Sequence, residues 1–225
     1  APLRRWPDLQ SSQELMTTTT ETHDLVADSV RVITDGQAAS GAYVASPNFS
    51  QYRFGWLRDG AFIALAMDAA EHHDSARAFH EWVRRVLETQ SGRIDGVLEA
   101  VTAGHEPAPE DRLPTRYTLD GAEEPEADEA WPNFQLDGYG TWLFALNEHL
   151  DGALPTEFEP AVRSAARYIA ATWRLPCYDY WEEFGDRVHT STLAALAAGL
   201  RAAAELLAEN EWLDAADDIV AFIRS

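Results

Sequence analysis

An all-α fold is the structure that the sequence predicts, and three observations carry this prediction. Apolar residues recur at helical spacing along almost the whole chain of 225 residues. The one stretch that resembles a strand is the short segment "GAYVAS" at residues 41–46. The links between helices are short within pairs and long between pairs, which is the pattern of a ring of helical hairpins with its long loops on one face.

The apolar periodicity predicts seven helices. In chain order they cover roughly residues 21–38, 59–71, 74–90, 136–150, 162–173 and 190–209, with a last helix from 211 to the chain end. Asp74 or Ser75 is the predicted N-cap of the third helix, and Pro160 is expected in the first turn of the fifth.

Three long links, at residues 39–58, 91–135 and 175–188, separate these helices. The segment at roughly 104–130 is rich in Pro, Glu and Asp, which suits a domain linker, but helices of the same style resume after it. Residues 1–225 are therefore predicted to form a single domain, with 1–20 as a lead-in segment.

The chain is strongly acidic, with a formal net charge of −21, and all 17 of its basic residues are Arg. A nucleic-acid partner is disfavoured, because such proteins carry basic surfaces that neutralise phosphates. Heavy acidity without Lys also suggests a protein adapted to high salt, because an acidic surface keeps a protein soluble.

Cys177 is the single cysteine of the chain, so no internal disulfide forms. No histidine lies nearer to it in sequence than His189, which favours a buried structural thiol over a nucleophile. No run of 18 apolar residues occurs, so no membrane partner is expected. The N-terminal "APLRRWPDLQ" lacks the apolar stretch of a signal peptide, which favours the cytoplasm over secretion.

The first unusual stretch is "YRFGWLRDGAF" at residues 52–62, where Arg58 and Asp59 form a charged pair at a helix start. One interpretation is an N-capping Asp59 with a surface arginine. The other is a pair that binds sugar hydroxyls beside Tyr52 and Trp56, because planar guanidinium and carboxylate groups form paired hydrogen bonds.

Two further loops end in the same way. "WPNFQLDGYG" at residues 131–140 places Trp131, Gln135 and Asp137 before a helix. The alternative interpretation of Asp137 is that it only caps this helix. "YDYWEEFGDRVHTS" at 178–191 places two adjacent carboxylates inside an aromatic cluster. Three such loops on one face favour a binding or catalytic site over helix caps.

The pair Glu182 and Glu183 suits the hydrolysis of a glycosidic bond. That reaction needs a general acid for the leaving oxygen and a second carboxylate as nucleophile or base. Apolar neighbours and a nearby negative charge both keep such an acid protonated, and Tyr180, Trp181 and Phe184 supply apolar walls. One glutamate can then act as the acid while the other binds sugar.

The chain resembles the glucoamylase family, glycoside hydrolase family fifteen, in its N-terminal half. The matching stretches are "VASPNFSQYRFGWLRDGAF", "WPNFQLDGYG" and "YDYWEEFGDRVHTS", which occur in the family's order. The resemblance implies a toroid of six helical hairpins, here only its first six to seven helices. It also implies an exo-acting, inverting enzyme that releases glucose from the non-reducing end of α-glucans, with glucan 1,4-α-glucosidase as the reference activity.

The resemblance also implies roles for individual residues. Glu182 resembles the general acid and Glu183 a sugar-binding carboxylate, within "WEE" that includes Trp181. The other substrate-binding residues implied are Tyr52, Trp56, Arg58, Asp59, Trp131, Gln135 and Asp137. No cofactor and no metal is implied.

The family's general base lies far toward the C-terminus, beyond the last predicted helix, so it is expected to be absent from these residues. The 225 residues alone are therefore expected to be an incomplete enzyme. An open arc of hairpins is also expected to self-associate through its exposed edges. The linkage, α-1,4, α-1,6 or the trehalose linkage, stays open.

Three other functions remain as alternatives. A non-catalytic carbohydrate-binding protein would need the aromatic residues and Arg58–Asp59 but no protonated glutamate. A metal site could use "EHHD" at residues 71–74 or Glu182, Glu183 and His189, although "EHHD" is more simply a polar turn. "DAADD" at 214–218 resembles the Asp-rich helix of terpene cyclases, but a second metal motif is missing.

Overall fold

The computed structural model describes residues 24–124 and 133–225, and the described residues form eight α-helices. In chain order the helices are α1 (Leu25–Gly36), α2 (Leu57–Ala69), α3 (His73–Thr89), α4 (Ser91–Thr102), α5 (Asp137–Leu150), α6 (Glu159–Thr172), α7 (Thr190–Leu207) and α8 (Glu211–Arg224). The predicted all-α class is confirmed.

The helices form two layers. The inner row is α2, α5 and α7, in which α5 packs against both neighbours. The outer row is α3, α6 and α8, each connected in sequence to the inner helix before it. Three helical hairpins therefore lie side by side, as expected for part of a hairpin toroid, and the loops that precede the inner helices meet at one end.

Glycines allow the inner helices to approach closely. A Cβ on Gly199 in α7 would lie 2.6 Å from the Cα of Gly140 in α5, well inside van der Waals contact. Gly138 sits against the start of α2, where a Cβ would lie 3.1 Å from Leu57 Cβ and 3.2 Å from Arg58 N. The first approach brings α7 against α5, and the second holds the N-terminal ends of α2 and α5 together.

The segment after α4 is tied to the helical layers by buried tyrosines. The hydroxyl of Tyr168 in α6 accepts a 2.9 Å hydrogen bond from Leu113 N, and the hydroxyls of Tyr117 and Tyr139 lie 3.0 Å apart. Two short strands also pair here in antiparallel fashion, β1 (Gly55–Trp56) with β2 (Arg116–Tyr117). The strand pair joins this segment to the loop before α2.

Several local predictions were wrong. Helix α4 lies inside the stretch that was predicted as a long link. It was not predicted as a helix because its apolar periodicity is weak and only Ile94 and Val97 are buried. The strand predicted at 41–46 forms only an isolated bridge between Gln37 and Tyr43. The described residues therefore contain eight helices rather than six or seven.

The predicted N-cap of α3 was also wrong, while the first turn of α6 was predicted correctly. His72 occupies the N-cap position of α3 without a side-chain cap bond, and Asp74 lies within the helix. Pro160 stands in the first turn of α6, where its missing N–H costs no hydrogen bond.

Exposed apolar side chains mark both ends of the helical array. Leu25 and Val26 of α1 and Phe222 of α8 are 74%, 62% and 48% exposed. Self-association through the edges stays a prediction, and these side chains are where it would occur. Within the two described ranges, none of the helices combines the length and apolarity that a membrane crossing requires.

Candidate active site

A pocket of about 250 Å³ opens where the loops before α2 and α7 meet. Its lining residues come from both loops and from the start of α2: Ala45, Tyr52, Trp56, Arg58, Asp59, Tyr180, Trp181 and Glu182. Gln135 and Asp137, at the start of α5, lie fully buried next to Arg58. The three sequence stretches therefore converge on one site, as predicted from the long loops that recur between the helical hairpins.

Arg58 is held by two buried acceptors. One Nη atom of its guanidinium donates to Gln135 Oε1 at 2.8 Å and to Asp137 Oδ2 at 3.0 Å. The ring of Tyr180 lies against the guanidinium, with 4.9 Å between the Cζ atom and the ring centroid. The Arg58 side chain is 12% exposed, so it is fixed in place and still reaches the pocket.

Gln135 links Arg58 to Glu182. Because its Oε1 atom accepts from Arg58, its Nε2 atom faces the other way and donates to Glu182 Oε1 over a long 3.4 Å contact. The amide orientation is thus set by a donor that cannot lose its proton. Glu182 and the arginine are positioned by one buried side chain.

Asp137 explains why the guanidinium is bound so firmly. It is the first residue of α5, not its N-cap, and its side chain is fully buried. Burial raises the pKa of Asp137, while the adjacent Arg58 opposes this rise. Asp137 therefore supports Arg58 from behind the pocket, and the cap interpretation was wrong.

Asp59 is the second carboxylate of the pocket. Its Oδ2 atom lies 3.7 Å from Arg58 Nε, and the side chain is 41% exposed. Partial burial in the pocket wall raises the pKa of Asp59, Arg58 lowers it, and the charge of Glu182 raises it further. Asp59 lies in the first turn of α2, where Trp56 is the N-cap residue.

A tight turn presents Glu182 to the pocket. The side-chain Oδ1 of Asp179 accepts from Trp181 N at 2.9 Å and from Glu183 N at 3.0 Å. Glu182 itself has φ of 62° and Phe184 has φ of 52°, a left-handed conformation that costs energy for residues other than glycine. The turn is therefore a strained local structure that aims one carboxylate inward.

Aromatic side chains form one wall of the site. Trp56 is buried, and Arg116 of β2 stacks over it at 4.7 Å from the ring centroid. Tyr52 packs against Trp56 with 5.9 Å between centroids. Flat faces of this kind are common against sugar rings.

The structure brings most of the predicted site residues together, but not all. Glu183 is exposed and does not line the pocket, so its sugar-binding role stays a prediction. Trp131 lies outside the described residues. The aromatic enclosure expected around Glu182 is incomplete here, because Trp181 is 82% exposed and Phe184 is 50% exposed.

Sequence analysis missed other contributors to the site. Ala45 lines the pocket, and Asp179 holds the turn, although neither had a predicted role. Arg116 stacks on Trp56 from a segment that was predicted as a plain loop. Ala45 and Arg116 have no local signal, because each acts only through the fold, whereas an aspartate at position 179 is a local signal for a turn.

Two sequence-based alternatives can be compared with the geometry. Among residues 24–124 and 133–225, the group of His and Asp side chains close enough for a metal ion does not include Glu182, Glu183 or His189. Cys177 is buried, and burial raises the pKa of its thiol to about 11, which agrees with a structural role.

The family profile of glycosyl hydrolases family 15 matches residues 23–223, nearly the whole chain. The chain belongs to glycosyl hydrolases family 15. An isomaltose glucohydrolase from Kribbella flavida is 40% identical over 208 residues, which are 90% of this chain and 53% of that protein. Trehalase 2 from Sulfolobus acidocaldarius is 24% identical over 203 residues, 80% of this chain and 35% of that protein.

Solved structures of glycosidases share the fold of this family 15 chain. A wild-type glycosidase is 40% identical with a TM-score of 0.79, over 90% of this chain and 55% of the other. A glycosidase solved in complex with glucose gives the same identity, TM-score and coverage. The chain thus spans about half the length of these relatives.

Proposed function

We propose that this chain carries the sugar-binding and general-acid part of an exo-acting, inverting α-glucosidase that releases glucose from non-reducing ends. The observation that carries the proposal is one pocket in which a buried Gln135 joins Arg58 to Glu182. The pocket has the size of a single sugar ring and an aromatic wall. The solved relative in complex with glucose supports a glucose subsite.

Arg58 and Asp59 are proposed to bind adjacent hydroxyls of the terminal glucose. A guanidinium donates and a carboxylate accepts, so together they satisfy a pair of vicinal hydroxyls. Arg58 is already oriented by Gln135 and Asp137, and little conformational entropy is lost when sugar binds. A pocket that holds only the terminal glucose would make the enzyme exo-acting.

Glu182 is proposed to protonate the leaving oxygen. Its carboxylate is the one that the strained turn aims into the pocket, whereas Glu183 is exposed. Inversion then needs a base carboxylate about 6.5–9.5 Å from the acid to activate water. Asp59 is ion-paired with Arg58, and we propose that sequence outside these 225 residues supplies the base and the missing wall around Trp181.

The linkage is proposed from the relatives. The glucoamylase-like pattern indicates α-1,4-glucan, whereas the relative that is 40% identical is an isomaltose glucohydrolase. We therefore place α-1,6-linked isomaltose first among the substrates and maltose second. Trehalose comes third, since the trehalase is only 24% identical.

A non-catalytic α-glucan-binding protein is the second candidate. The exposed Trp181 and the open side of the pocket favour it, because sugar-binding surfaces often present an unenclosed aromatic face. The two functions differ in whether bound isomaltose is hydrolysed.

The test is to assay this chain alone and joined to the C-terminal half of the Kribbella flavida isomaltose glucohydrolase. Isomaltose, maltose and trehalose are the substrates, and proton NMR follows the anomer released first. The joined protein is expected to release β-glucose, most rapidly from isomaltose, and the chain alone to release none. Hydrolysis by the chain alone would place the base within these residues, and α-glucose as first product would exclude inversion.

Replacing Asp59 with alanine in the joined protein is expected to lower kcat/KM by about 10- to 100-fold. A hydrogen bond to a charged group contributes about 1.5–3 kcal/mol, and hydroxyl contacts tighten toward the transition state. The melting temperature should change little, because the Asp59 side chain is 41% exposed and Asp59 is not the N-cap residue of α2. Asp59→Asn is measured beside Asp59→Ala for comparison. If Asp59→Ala lost stability but kept its kinetics, Asp59 would act only as a charge at the start of a helix and would not bind substrate.

A further inference from the structure

Three helices bring a second group of polar side chains together far from the pocket. Asp68 lies near the end of α2, His80 lies in α3, and His149 lies near the end of α5. The starts of α2 and α5 carry Arg58 and Asp137. At 1.5 Å rise per residue, the group lies about 15–18 Å from the active-site ends of these helices.

The ligand atoms of this group are close together. The Nδ1 atom of His149 lies 3.0 Å and 2.9 Å from the two carboxylate oxygens of Asp68. One ligand atom from each of Asp68, His80 and His149 lies within 4.8 Å of the others. The Nδ1 atom of His73, at the start of α3, lies 2.8 Å from Asp68 Oδ1 and fixes that carboxylate from outside.

His80 is the side chain that the protein fold alone leaves unexplained. It is fully buried, and neither ring nitrogen has a hydrogen-bond partner among the described residues. A neutral imidazole has one donor and one acceptor, and leaving both buried without partners destabilises the fold. The ring of His149 lies beside it, with 4.9 Å between centroids.

We propose that Asp68, His80 and His149 bind a divalent transition-metal ion with the coordination chemistry of Zn²⁺. Two imidazoles and one carboxylate suit this class of ion, whereas Mg²⁺ and Ca²⁺ require mainly oxygen ligands. Bonds of about 2.0–2.2 Å in a tetrahedron place ligand atoms about 3.3 Å apart. The spacing of up to 4.8 Å between the ligand atoms must therefore shorten by about 1.5 Å when the ion binds.

The role of the site is to tie α2, α3 and α5 together at the end opposite the pocket. His73 acts on the carboxylate ligand rather than on the ion, as partners of metal-binding groups commonly do. His73 also lines a surface pocket formed by residues 71–75, so this partner of Asp68 is in contact with solvent. The proposal does not depend on the glycosidase function.

The experiment strips the purified chain with a chelator and then titrates Zn²⁺ against a chromophoric competitor, with Mg²⁺ and Ca²⁺ as separate arms. Wild-type chain is expected to bind one Zn²⁺ per chain and to melt at a higher temperature when saturated. His149→Ala should lose this site, and His73→Ala should bind about 10- to 100-fold more weakly. His105→Ala, which removes an exposed histidine outside the group, is the matched control.

His80→Leu keeps the proposal testable if His149→Ala folds poorly. It removes the unpartnered ring nitrogens, so the metal-free variant should melt at or above the wild-type temperature and show no shift with Zn²⁺. Failure of the wild-type chain to bind stoichiometric Zn²⁺ would overturn the proposal. Equal Zn²⁺ binding by wild type, His80→Leu and His149→Ala would overturn it as well, because the ion would then sit elsewhere.

Discussion

Replacing Glu182 with glutamine in the joined protein is expected to lower kcat on isomaltose by about 10²–10⁴-fold and to leave KM nearly unchanged. General acid catalysis contributes a factor of this size, and glutamine keeps the shape of the side chain while it removes the acidic proton. The contact with Gln135 can persist in an amide, so the pocket should retain its structure.

Glu183→Gln is the matched control, since it changes the neighbouring carboxylate, which is exposed and outside the pocket lining. Its effect on kcat should be much smaller, and any effect should fall mainly on KM. Equal losses of kcat in both variants, or near-normal turnover by Glu182→Gln, would remove Glu182 from the role of acid.

Replacing Asp137 with alanine is expected to lower the free energy of unfolding by about 3 kcal/mol. Removing one partner of a buried ion pair leaves the other charge uncompensated, which costs about 3–5 kcal/mol. The low end of this range is expected because Arg58 keeps its hydrogen bond to Gln135, and its Nε atom lies 3.7 Å from Asp59 Oδ2. Thermal unfolding should show a melting temperature lower by about 6–12 °C.

Asp137→Asn separates the lost contact from the lost charge. Burial raises the pKa of Asp137, so its contribution to stability is present below the ordinary pKa of an aspartate and declines as pH rises through the raised value. Asparagine removes the cost of burying a charged carboxylate and keeps an acceptor for Arg58. The free energy of unfolding of Asp137→Asn is therefore expected to fall by less than about 1 kcal/mol. An Asp137→Ala variant as stable as wild type would show that Arg58 does not depend on this carboxylate.

The main helices and the site could be predicted from sequence because their signals are local. The apolar period of α3 and α6 is strong, α7 is apolar over most of its length, and each site stretch sits at a helix start. Helix α4 escaped prediction because it buries only two side chains, and its weak pattern lies beside a loop rich in Pro and acidic residues.

The contacts that organise the site could not be predicted in this way. The sequence indicated that Gln135 belongs near sugar, but only the fold shows that it bridges Arg58 and Glu182. The group around His80 left no motif, because Asp68 and His149 are far apart in the sequence and meet only through helix packing. The salt adaptation predicted from the acidic composition stays a prediction.

The most direct test of Glu182 as general acid compares Glu182→Gln on isomaltose with the same variant on α-glucosyl fluoride. Fluoride leaves without protonation, so a variant that lacks only the acid should keep its rate on the fluoride within about tenfold of wild type. On isomaltose the same variant should lose about 10²–10⁴-fold. Equal losses on both substrates would contradict the account, because Glu182 would then hold the sugar or the structure of the site rather than donate the proton.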